Sequence, residues 1–94
     1  MALYALVCLD KPNALEVRMG AREAHLAYVR ERIDQVKLAG PFLDEAGAMA
    51  GSHLILDVAD RAAAEAFNAA DPYTLAGLWG SVEIKAFKAS IGQL

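Results

Sequence analysis

The chain has 94 residues and a net charge of −3, with 56% hydrophobic and 22% charged side chains. That length makes one domain, residues 1–94, which hides somewhat over ~60% of its unfolded surface and keeps a thin stability margin. Scattered cations argue against a nucleic-acid partner, the single cysteine excludes an internal disulfide framework, and no stretch approaches the ~20 apolar residues of a membrane span.

Residues 2–9 of "MALYALVCL" form a continuous apolar run that predicts a central strand buried on both faces. No basic segment precedes the run and Asp10 ends it, so it does not read as a secretory signal, and the chain is expected to be soluble and cytoplasmic. Cys8 lies inside this run and reads as a small buried hydrophobe. After the turn "DKPN" and a short stretch "ALEVRMG" comes "GAREAHLAYVRERIDQVK", residues 20–37, with helical periodicity. Gly40 and Pro41 supply its stop, near Ala39–Gly40. At about 100° per residue, Leu26, Val29, Ile33 and Val36 centre on Arg22, with His25 about 60° away at the edge of the stripe. Glu23, Arg30, Glu31 and Asp34 build the solvent face. An arginine and a histidine on an apolar face call for partners or a ligand, because an unpaired buried charge costs several kcal/mol or more.

"PFLDEAGAMAG" predicts a short or bulged strand and a tight turn around Gly47–Gly51. "SHLILDV", residues 52–58, is a clearer strand, with Leu54, Leu56 and Val58 on one side and His53, Ile55 and Asp57 on the other. Asp60 is a candidate N-cap for an alanine-rich helix over 61–69. Asp71 before Pro72 breaks that helix and allows a new short turn to start. "SVEIKAFKA", residues 81–89, alternates Val82, Ile84 and Ala86 against Glu83, Lys85 and Phe87.

The order β-α-β-β-α-β predicts an α+β ferredoxin-like plait, a four-stranded antiparallel sheet with both helices on one face. The other face carries Ile55, Phe87 and the second side of the first strand, which argues against plain water. A homodimer packed sheet against sheet would cover it and enclose a space between the two sheets.

Two residues pair naturally as a candidate proton-transfer centre. His25 could be a core histidine satisfied by a carbonyl, or it could act with an acid that fixes its tautomer; Asp71, held in a loop by Pro72, is the candidate acid. Arg22 could bind a substrate carboxylate or tie down Asp71; Tyr73 and Trp79 could wall a pocket or simply pack; Ser52 follows Gly51 without a nucleophile-elbow pattern. A metal site would need His25, His53 and a carboxylate to converge without a ligand-spacing motif, and "GAMAG" precedes a strand rather than a helix. Neither metal nor cofactor is expected.

"RxxHL" at Arg22–Leu26, "AGP" at Ala39–Pro41, Gly-Ser before the third strand, "ADPYxxAGL" at Ala70–Leu78 and the tail "VEIKAF" together resemble the YCII-related (YciI-like) family. The resemblance implies a dimeric α/β barrel and a site built on a His-Asp pair, here His25 and Asp71, with Arg22 and Ser52 at positions near that pocket. Some relatives are dehydrochlorinases of chlorinated hydroxyquinols, and others resemble muconolactone isomerases. The expectation is thus a lyase or isomerase acting on a small cyclic or carboxylated metabolite, with His25 and Asp71 catalytic and Arg22, Ser52 and Tyr73 substrate-binding. A non-catalytic module that binds a small metabolite, or serves in assembly, is the alternative.

Overall fold

Alternating apolar residues set the sheet, and the structure, a computed structural model, describes residues 2–94. Strands β1 (Ala2–Asp10), β2 (Val36–Leu43), β3 (Met49–Val58) and β4 (Trp79–Phe87) form one antiparallel sheet in the order β2-β3-β1-β4. Helices α1 (Leu15–Glu31) and α2 (Arg61–Ala70) cross one face, and a single-turn helix α3 (Pro72–Leu75) leads into β4. This is the α+β ferredoxin-like plait.

Register explains where the core sits. Leu6 pairs with Leu54 and Ile84, and Cys8 with Ser52 and Val82, so even-numbered positions of β1, β3 and β4 share the helix-covered face. There Leu6, Cys8, Leu54, Leu56 and Val58 pack against Val29 of α1 and Ala64 and Phe67 of α2. Asp60 caps α2 by accepting the Ala63 amide at 2.9 Å. A smaller cluster of Ala14, Tyr73 and Leu78 closes the end of the sheet where α1 begins.

The first helix departs from its sequence reading. It starts five residues earlier than the periodicity placed it, at Leu15, after Asn13 turns the chain in the left-handed region at φ 57°. It ends at Glu31, and residues Ile33–Gln35 form one turn of 3-10 helix before β2. Ile33 is therefore 63% exposed and Val36 belongs to a strand, so neither joins the apolar stripe. Gly40 and Pro41 lie inside β2 rather than at a helix stop. Pro41 lacks an N–H but is tolerated because β2 is an edge strand. The β2–β3 turn falls at Asp44–Gly47, with Asp44 Oδ1 accepting the Ala46 and Ala48 amides.

On the opposite sheet face, Leu3, Val7 and Leu9 of β1, Ile55 of β3, Leu38 of β2 and Phe87 of β4 have no helix over them. Leu38 is 51% and Phe87 43% exposed. The face is apolar along its centre, and the half-exposed side of β1 departs from a strand buried on both faces. Among the described residues no helix is long and apolar enough to cross a membrane.

Candidate active site

The Asp71–Pro72 step positions an acid. Pro72 is the first residue of α3, which leaves Asp71 extended at φ −63°, ψ 130°, as the N-cap. Its Oδ1 accepts the Tyr73 amide at 2.9 Å, satisfying one of the open N–H groups at the helix start. The same oxygen lies 2.8 Å from Nδ1 of His25 on α1. Both side chains are buried, at 2% and 8% exposure. An ionised carboxylate only accepts, so Nδ1 is the donor in this contact, and in a neutral imidazole the free lone pair is then on Nε2. The Tyr73 ring stacks on the imidazole, with centroids 4.0 Å apart and planes 17° off parallel, and holds it flat.

A second charged group reaches the same region from two helical turns earlier on α1. Arg18, only 2% exposed, donates from Nε and Nη2 to the two oxygens of Asp10 at 2.8 Å each. Its Nη2 also donates to Ser52 Oγ at 3.0 Å, and the guanidinium carbon stands 4.7 Å from the Tyr73 ring centre. Burial opposes its charge, but the Asp10 carboxylate outweighs this and holds the guanidinium above its ordinary pKa. Because Ser52 Oγ accepts from Arg18, its own hydroxyl proton is left to donate elsewhere. Tyr73 is pushed up by burial and drawn down by the neighbouring Arg18 and Arg22 charges, with a net rise.

These groups wall a cavity of about 170 Å³ between α1 and the β2–β3 side of the sheet. His25, Arg18, Ser52 and Tyr73 contribute its polar part; Val29, Leu54, Pro41 and Met49 contribute apolar surface. Arg22 lies on its wall with an exposed side chain, so the centre of the predicted stripe is the rim of a cavity. Asp71 stands behind His25 rather than on the wall. Trp79 is not on the wall either; its indole N–H donates to Thr74 Oγ1 at 2.9 Å. The cavity lies on the helix side of the sheet, not on the bare face where the sequence placed a space between sheets. His53 sits on that bare face, stacked on Phe42 at 5.5 Å, so the two histidines do not converge.

Arg18 and Asp10 are the site residues that sequence reasoning missed. Once α1 begins at Leu15, Arg18, Arg22, His25 and Val29 fall within about 60° of one another on the helix. That periodicity was the available signal, hidden by a helix start placed at Gly20. Cys8, by contrast, is a packing residue: burial, then the Asp71 charge, push its thiol up to about 12, and Sγ donates to Asn68 Oδ1 at 3.7 Å.

The YCII-related domain matches residues 2–88. The chain belongs to this family. Among relatives of this YCII-related chain, the protein YciI of Escherichia coli is 37% identical, over 92% of this chain and 96% of the relative. The 5-chloro-2-hydroxyhydroquinone dehydrochlorinase TftG of Burkholderia phenoliruptrix AC1100, solved in complex with 2,5-dihydroxybenzoquinone, superposes with a TM-score of 0.85. That alignment is 30% identical and covers 92% of this chain and 93% of TftG. An antibiotic biosynthesis monooxygenase superposes at 0.60 with 15% identity, over 97% and 100% of the two chains, and shares the fold alone.

Proposed function

We propose that this YCII-related protein is a proton-transfer enzyme that eliminates from or isomerises a small cyclic metabolite, with His25 as the base and acid. The observation that carries the reading is the 2.8 Å contact of a buried histidine with a buried aspartate at the wall of a cavity. Asp71 fixes the tautomer and stabilises the imidazolium once His25 has taken a proton. In an isomerisation His25 returns that proton to a second ring atom. In an elimination the electron pair of the broken C–H or O–H bond moves through the ring and the leaving group departs as an anion. Negative charge collects on a ring oxygen meanwhile. Ser52, polarised by Arg18, supplies a hydroxyl donor to that oxygen, and Arg22 adds a positive charge at the rim. The similarity to TftG favours a hydroxylated ring as substrate class.

The second apolar sheet face supports a homodimer, and a single buried, unpaired cysteine suits a reducing cytoplasm. The test is chloride release from 5-chloro-2-hydroxyhydroquinone under anaerobic conditions. Wild type should turn over, and His25→Ala should lose about 10²–10⁴ in kcat, the range of general acid–base catalysis. Tight binding of the ring without turnover would make the cavity a metabolite-binding site instead.

A further inference from the structure

We infer that the ligand of this cavity is a single six-membered ring bearing one carboxylate, and that Arg22 reads the carboxylate. The inference rests on the cavity being the substrate site of the reading above, and it names the substrate class more narrowly.

Volume sets the first limit. An apolar cavity of about 150 Å³ holds one benzene molecule, so about 170 Å³ has room for one substituted ring. Val29, Leu54, Pro41 and Met49 supply apolar surface for the ring. Charge sets the second. Arg18 is neutralised by both oxygens of Asp10. The Asp71 charge is taken up by His25 Nδ1–H and the Tyr73 amide, behind the imidazole. Among the described residues Arg22 is the one cavity-lining cation with no carboxylate within ion-pairing distance. Its planar guanidinium matches a carboxylate in two parallel hydrogen bonds. Spacing sets the third. Arg22 and His25 are three residues apart on α1, so their side chains leave one face of the helix, and both line the cavity, where one ligand can touch both.

Two ligands that differ only in the carboxylate test this. Calorimetric titration of the full chain with 2,5-dihydroxybenzoate and with hydroquinone should show the carboxylated ring binding about tenfold tighter or more. Arg22→Gln should abolish that preference, with the carboxylated ring losing more affinity than hydroquinone, and Arg22→Lys should restore part of it. Arg22 is exposed, so both variants keep the core intact. Equal affinities in wild type, no binding of either ring, or a preference that survives Arg22→Gln would overturn the inference. The readout is affinity, so a preference that holds in a protein without turnover would count against proton transfer and leave the ligand class standing.

Discussion

Asp71 Oδ1 accepts from both the Tyr73 amide and His25 Nδ1, so one carboxylate oxygen fixes the start of α3 and the tautomer of an imidazole. Both residues were legible as candidates, because Asp-Pro marks a helix entry and a histidine beside an apolar stripe asks for a partner. Their contact was not legible, since it depends on how α1 and α3 pack 46 residues apart. His25 also sits deeper than an edge position implies. Truncation to alanine removes its stack on Tyr73 and one of the two donors to a buried carboxylate, a loss of about 1–3 kcal/mol rather than none. His25→Gln, which keeps most of the volume, is the cleaner probe of chemistry. Cys8 yields a pH prediction. Its thiol ionises near 9 in the unfolded chain and only at about 12 when folded, so between those values the folded state holds one more proton. Stability is then full below pH 9 and falls as pH rises toward 12, by up to about 1.4 kcal/mol per pH unit from this group. Denaturation midpoints measured from pH 8 to 10 should fall less steeply in Cys8→Ala, because Tyr28 and Tyr73, whose pKa values burial raises above 10, add their share only beyond that range.

At the scale of elements, α1 is fastened to the sheet by charge as much as by apolar contact. Arg18 on its first turn joins Asp10 at the end of β1 and Ser52 on β3. Removing the guanidinium leaves a carboxylate that is 7% exposed without its partner. Arg18→Ala should therefore lose about 3–5 kcal/mol in urea denaturation. Arg18→Met combined with Asp10→Asn should recover a large part of it, because the uncompensated charge is gone; an additive double variant would mean that the pair holds nothing together. The same helix was the hardest element to read. Its N-cap is Ala14 with no side-chain cap, and Gly20 sits in its interior, so the usual start signals are missing and the helix pattern begins to look convincing only after that glycine. At its other end Ile33 and Val36 continue the helical period by coincidence, so periodicity alone runs the helix through the 3-10 turn and into β2. β3, β4 and α2 are legible to within a few residues, because strict alternation and an Asp N-cap are local signals that packing does not override.

For the whole molecule, the one-sided arrangement of helices leaves Leu9 of β1, Leu38 of β2 and Phe87 of β4 exposed on the free face of the sheet, around a buried Ile55. A second copy is the occupant proposed above, and it divides the molecule into an interface side and a cavity side. Sedimentation equilibrium at micromolar concentration should give the mass of two chains, and Leu38→Glu on the free face should shift it toward one. A wild-type monomer would contradict the dimer without touching the chemistry, since the cavity lies under α1 on the other side of the sheet. The central claim is that His25 moves a proton between the cavity and a bound ring, and hydrogen–deuterium exchange at carbon reads this directly. In deuterated buffer, the ring C–H signal of 2,5-dihydroxybenzoquinone should disappear faster with catalytic protein than in buffer alone. His25→Gln should reduce that enhancement by about 10²-fold or more. An enhancement that His25→Gln leaves unchanged, or no enhancement by a protein that demonstrably binds the ring, would contradict it.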